Sequence, residues 1–168
     1  QGLTHLRGHK IGFVFQHHYL LSAFSAIENV MMPMFADAGF ANAAMRERAS
    51  LLLESVGLTP WLHVPATHLS GGQQQMLSLA RGLATDPVLL MLDEMSMGLA
   101  PIVVADLYEQ VQAIAAEGVS VLVIEQFART VLGIADTAVV MSHGHVRFSG
   151  NASDVDEATL SSAYLGTK

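Results

Sequence analysis

One stretch constrains this chain more than any other: the apolar run Val88-Leu-Leu-Met-Leu92, which stops on two carboxylates, Asp93 and Glu94. Five apolar residues without alternation are expected of a central parallel strand covered on both faces. Parallel strands need crossover connections, and the neighbouring residues alternate between helical and strand patterns in the way crossovers produce. The pattern predicts helices over 73–84, 102–116 and 128–134, and strands over 88–92, 119–124 and 138–141. His143-Gly144, set between 138–141 and 145–148, predicts a tight hairpin and an antiparallel edge on the sheet.

The earlier residues read differently. A short apolar strand is expected over 11–15, a loop over 16–24 and a helix over 26–32 ended by Pro33. Met45, Ala49, Leu52, Leu53 and Val56 then recur at helical spacing, with Gly57 as the stop. The expectation is one α/β domain with a helical insertion.

Composition removes several function classes. Among 168 residues, 8 Lys+Arg face 15 Asp+Glu for a formal net charge of −7, which leaves no source for a phosphate-neutralising surface, so no nucleic-acid partner is expected. There is no cysteine, hence no disulfide framework, thiolate zinc site or cysteine nucleophile, which fits a reducing compartment. No apolar run approaches the roughly 20 residues that span a bilayer. Gln1 begins the chain without an initiator methionine or a secretory leader, and the start reads as a cut.

Two segments carry chemistry. In Leu69-Ser70-Gly71-Gly72-Gln73-Gln74-Gln75, Ser70 and Gln73 have the spacing of a capping box, which needs no function at all. The two glycines add an anion site, because they leave the backbone N–H groups of a helix start uncovered where the helix dipole favours phosphate. The second segment is the strand end, where ligands bind in open α/β sheets. Asp93 there has the chemistry to hold Mg²⁺, and Glu94 to polarise an attacking water. Adjacent carboxylates at a strand end are also ordinary solvated termini, so the pair gains meaning only beside the first segment.

Together these segments, with Arg81 between them, resemble the nucleotide-binding subunits of ABC transporters. In that family Leu69–Gln75 would be the signature motif and Leu90-Met-Leu-Asp93-Glu94 Walker B. Gly12-Phe-Val-Phe-Gln16 resembles the Q-loop, with the signature beginning 53 positions after Gln16. Met97-Gly-Leu-Ala-Pro101 stands at the D-loop and Ile124-Glu-Gln126 at the switch residue. Ala100 stands where the family commonly has aspartate, Gln126 where it has histidine, and Met95 where it often has proline. Glutamine can hydrogen-bond a phosphate oxygen but cannot carry an imidazolium charge.

The resemblance implies an α/β fold, a P-loop NTPase-like mostly parallel sheet with a helical subdomain at about 17–84, truncated at the N-terminus. The whole of 1–168 would be a partial nucleotide-binding domain. ATP and Mg²⁺ would be bound, with Glu94 as catalytic base, Gln126 near the γ-phosphate, and Asp93 and Gln16 on the metal side. Gln16, Ser70, Gly71, Gly72 and Gln73 would contact nucleotide. Implied partners are transmembrane permease subunits and a second ATP-binding subunit, identical or not, at the cytoplasmic face of the cell membrane. Residues 96–146 look most like branched-chain amino-acid uptake ATPases, the first reading of substrate. Phe13–Leu21 and Glu28–Pro33 look more like lipoprotein-release or macrolide-export ATPases.

No Gly-x-x-x-x-Gly-Lys-Ser/Thr occurs in these residues, and the family places that phosphate cradle upstream of Gln16. A non-catalytic fragment or interaction module is therefore one alternative, and a soluble ABC-type ATPase of DNA repair or translation another. An isolated chain lacking a central strand and its helix is expected to expose apolar surface and to aggregate or stay partly molten. His17-His18 and His143-x-His145 are expected to be loop residues rather than metal ligands, and Trp61 to pack locally.

Overall fold

Residues 10–35 and 39–165 are described in the computed structural model, in two units, one up to Ile124 and one from Glu125 onward.

The first unit is built on a parallel three-stranded sheet of β1 (Ile11–Val14), β2 (Leu89–Asp93) and β3 (Ser120–Ile124), in the order β1-β2-β3. The apolar run is thus the central strand, shifted one residue so that Asp93 is its last member and Val88 lies outside it. Register aligns Phe13, Met91 and Leu122 on one face and Val14, Leu92 and Val123 on the other. Gly12, Val14, Leu90 and Leu92 are buried, whereas Phe13 and Met91 are half-buried and Leu122 and Ile124 are 45% and 48% exposed. The expectation of cover on both faces is therefore met on only one. Pleating sends alternate side chains to opposite faces, and the helix over Gly71–Gly82 lies against the Val14 and Leu90 side.

Among the described residues three α-helices precede β2. They are α1 (Ala26–Met31), α2 (Ala43–Ser55) and α3 (Gly71–Gly82), and they pack against one another. Pro33 does not end the run of turns. It sits inside a 3₁₀ turn, Met32–Met34, near whose start a missing N–H costs nothing. Met45, Ala49, Leu53 and Val56 are buried as their spacing predicts, and Gly57 ends the turn with φ +72°. α3 begins at Gly71, two residues before the predicted start, because Ser70 is its cap.

The C-terminal end of α3 lies against β1 at backbone distance. A Cβ on Gly12 would sit 2.2 Å from the Gly82 carbonyl oxygen and 2.9 Å from Leu90 Cδ1, so glycine is required there. Arg48, on α2, closes this end by donating to the Ala84 and Leu83 carbonyls at 2.8 and 3.0 Å. After β2 comes α4 (Pro101–Ala116), which packs on β3 through a face including Leu107, Val111 and Ile114.

The second unit holds α5 (Ala128–Leu132), the antiparallel pair β4 (Thr137–Ser142) and β5 (His145–Asn151), and α6 (Glu157–Leu165). His143 and Gly144 both have positive φ, +49° and +78°, as a two-residue hairpin turn of matching twist demands. Among the described residues the hairpin's ladder does not extend to the parallel sheet, where an antiparallel edge was expected. β4 pairs locally with β5 across the tight turn, and the two form a sheet of their own.

Candidate functional site

The C-terminal edge of the parallel sheet gathers three of the expected residues. Val14 pairs with Leu92 and Asp93 with Ile124, so Gln16, two residues past β1, leaves the sheet at the edge where Asp93 and Glu94 do. Glu94 extends the ladder by donating its N–H to the Ile124 carbonyl at 2.9 Å. Its φ of +47° is unusual for a residue with a side chain and costs about 1 kcal/mol or more. Such conformations persist where the surroundings over-determine them, and they cluster at functional sites. Here the pins are the Ile124 carbonyl on one side and a turn closed by Met97 N–H to the Glu94 carbonyl, at 3.3 Å, on the other. Gly98 continues that turn with φ +77°.

Gln16 reaches the same turn. Its Nε2 donates to the Met97 thioether sulfur at 2.8 Å. Sulfur is a weak acceptor, so the carboxamide is held but easily surrendered to a carbonyl, phosphate or water oxygen.

The glycine-rich string forms the start of α3. Ser70 Oγ accepts from the Gln73 N–H at 3.3 Å, and Gln73 Oε1 accepts from the Ser70 N–H at 2.9 Å, which completes the expected capping box. The Gly71 and Gly72 amides stay outside the helix's own ladder. The two glycines have different reasons to be there. A Cβ on Gly72 would meet Val103 Cγ1 at 2.7 Å, so Gly72 lets α3 approach α4, whereas a Cβ on Gly71 would meet nothing within 4 Å. Packing therefore explains Gly72 and leaves Gly71 unexplained. Gln74 steadies the approach by donating to the Ala66 and Leu69 carbonyls.

α3 is about 18 Å long at 1.5 Å per residue, and its far end packs on β1. Its start meets α4 at Val103. Gln126 belongs to the second unit. The α3 start itself, through Ser70, Gly72 and Gln73, lines a shallow cavity of about 550 Å³ whose wall also holds Trp61 and Val103 and the carboxylates Glu54 and Asp106.

Ala100 caps α4 without a side-chain bond, and Pro101 supplies the first helical position. The aspartate common in the resembled family would have filled this cap, a difference of about 1 kcal/mol offset in part by proline.

Several contacts around the Gln16 loop escaped the sequence. Arg81 donates from Nη1 to the Tyr19 carbonyl at 2.7 Å and from Nη2 to the His18 carbonyl at 2.5 Å, and Ser78 Oγ donates to the same His18 carbonyl at 3.1 Å. Asn29, fully buried, bonds Leu21 N–H and the Leu21, Phe24 and Ser25 carbonyls. The one signal available was polarity on otherwise apolar helix faces. Burial, then Arg81, then His17 push the His18 imidazole below its ordinary 6.5, and its buried Nδ1 has no hydrogen-bond partner. Among the described residues no group of three or more His, Cys, Asp or Glu could hold a metal unaided, so Mg²⁺ at Asp93 would need oxygens from a bound phosphate. No described helix is long and apolar enough to cross a membrane.

A family profile described as "ABC transporter" matches residues 3–97. The lipoprotein-releasing system ATP-binding protein LolD 1 of Rhodopseudomonas palustris is 62% identical over 92 residues, which are 55% of this chain and 41% of that protein. LolD 2 of Chlorobaculum tepidum is 41% identical over 153 residues, 88% of this chain and 60% of that protein. The chain thus spans between about two-fifths and three-fifths of these relatives. Among solved structures, an ATP-binding cassette captured as a dimer in a post-hydrolysis state with ADP and Pi superposes with a TM-score of 0.78 at 27% identity, covering 89% of this chain and 66% of that one. The cbiO1 protein of Clostridium perfringens, part of the cbiONQ transporter complex, superposes with a TM-score of 0.82 at 28% identity, covering 91% of this chain and 61% of that one. The expectation of branched-chain amino-acid uptake, drawn from residues 96–146, finds no support in the names of these relatives.

Proposed function

The chain belongs to the ABC transporter ATP-binding family, and on that premise we propose that it is the part of a transporter ATPase that carries the signature, Walker B and Q-loop positions, roughly 17–84 being its helical subdomain. Mg²⁺, when bound with ATP, would supply charge neutralisation at the β- and γ-phosphates. Asp93 offers it a carboxylate oxygen and Gln16 a carboxamide oxygen, while Glu94 accepts a hydrogen bond from the attacking water and aims its lone pair. Ser70 offers a hydroxyl, Gly71 and Gly72 open backbone amides, and Gln73 its side-chain N–H to the phosphates of nucleotide held by a second ATP-binding subunit. Gln126 would hydrogen-bond a γ-phosphate oxygen as a neutral group.

The observation that carries the reading is the strained Glu94, pinned beside Asp93 at the strand edge that Gln16 shares. The cargo reading is lipoprotein release, supported by the names of the relatives and by the residues around Gln16. Exposed Phe15, Tyr19, Leu21 and Phe24 follow β1 and offer an apolar surface to a permease subunit at the cytoplasmic face of the membrane. The test is Glu94→Gln in the protein expressed from its whole natural reading frame. ATP is expected to bind and stay unhydrolysed, and unchanged turnover would remove Glu94 from the role.

A further inference from the structure

We propose that Arg81 is a positioning residue that ties the signature helix to the Gln16 loop, so that movement of α3 is felt at Gln16. The inference rests on the ATPase reading above and adds a residue to it.

Two consecutive carbonyls, those of His18 and Tyr19, converge on one guanidinium, and the first also accepts from Ser78 one helical turn earlier on α3. Successive carbonyls of an extended chain point to opposite sides, so both can meet one partner only if the backbone turns between them. It does so at Tyr19, whose φ is +44°, a left-handed conformation that a tyrosine adopts only under constraint. Arg81 is half-buried, and its planar fork offers two parallel donors that a lysine ammonium cannot reproduce. From the other side of the loop, Asn29 fixes Leu21 and Phe24.

Gln16 is two residues from the clamped His18 carbonyl, so few soft dihedrals separate them. Its described side-chain contact is the weak one to Met97 sulfur. The clamp, more than that contact, therefore decides where the carboxamide can reach. Arg81 stands 11 positions after Ser70, and a helix transmits displacement along its axis as a rod. Nucleotide engaged at Ser70–Gln73 would then bias the position of Gln16 in the same copy, and by linkage the reverse holds.

The experiment is steady-state ATP turnover by the protein from its whole natural reading frame, comparing wild type, Arg81→Met, Arg81→Lys, Gln16→Ala and the double variant Gln16→Ala with Arg81→Met. Arg81→Met is expected to lower kcat about tenfold with KM changed less than about twofold, and Arg81→Lys to recover only part of the loss. In the Gln16→Ala background, Arg81→Met is expected to change kcat by less than about twofold, because a residue acting through another loses its effect when that other is gone. Should Arg81→Met fail to fold, Ser78→Ala loosens the same carbonyl, and its smaller loss is expected to vanish in the same background. Equal losses in both backgrounds would overturn the proposal and leave the ATPase reading standing. Absence of Glu94-dependent turnover in wild type would overturn both.

Discussion

The two units invest their sequence differently. All but two of the buried apolar residues described, Ala152 and Leu160, lie at or before Ile124. The first unit has helices packed on a sheet, while the hairpin of the second exposes Val139, Met141 and Val146. His143 is left-handed because a two-residue turn calls for it, and Asp86, exposed after α3, is left-handed too, whereas Glu94 and Tyr19 are left-handed where hydrogen bonds from Met97 and Arg81 hold their carbonyls. The hairpin's left-handed residue serves its turn, whereas those at Glu94 and Tyr19 sit at the strand end and in the Gln16 loop, where the proposed chemistry concentrates.

The comparison breaks if chemistry survives damage to that first unit. The largest expected effect is a fall in turnover of about 100-fold or more for Glu94→Gln, read as phosphate release. Next is Gly12→Val, whose Cβ would lie 2.2 Å from a backbone oxygen. It should destabilise the first unit by about 3 kcal/mol in urea unfolding. Gly71→Ala, with open space around it, should leave that midpoint unchanged while impairing turnover. A stability loss at Gly71 would mean that the fold, and not the ligand, requires it.

Ser70 separates the capping and phosphate readings at smaller magnitude. Ser70→Ala should cost about 1 kcal/mol, and Ser70→Asp should restore stability by capping while repelling phosphate and depressing turnover. Equal recovery of both would reduce Ser70 to a cap. In the second unit, Gly144→Ala places a side chain at φ +78° and should cost about 1 kcal/mol, raising hydrogen exchange within 137–151 alone. Loss of protection in β1 or β2 as well would erase the distinction between the units.

The smallest effect is on pH dependence. His18 takes up its proton below its ordinary 6.5 because of burial, Arg81 and His17. Above pH 6.5 it is neutral in both folded and unfolded chains and has no effect. As pH falls below 6.5 the unfolded chain protonates first, so stability declines until the folded value is passed. His18→Gln should flatten the difference between unfolding at pH 7.5 and 5.5, and an unchanged slope would place the dependence on other groups.

What sequence made legible was local. Ser70 and Gln73 are three residues apart, so their box could be read from spacing, and the left-handed turn at His143-Gly144 likewise. The central strand was legible because its apolar run had no competing period. What stayed hidden depends on distant partners. Gly72 answers to Val103, Gly12 to Gly82, and Arg81 to carbonyls 62 and 63 positions earlier. The separate hairpin sheet was missed for the same reason, since a strand pattern says nothing of which ladder it joins.

The central claim is that these residues supply catalytic and signature positions but not the cradle for the β- and γ-phosphates. The measurement that tests it most directly is Mg-ATP binding and hydrolysis by the 168-residue chain beside the same residues in their whole natural reading frame. The account predicts turnover, abolished by Glu94→Gln, only in the latter. Glu94-dependent turnover by the 168 residues alone would contradict it and require a second phosphate cradle among them.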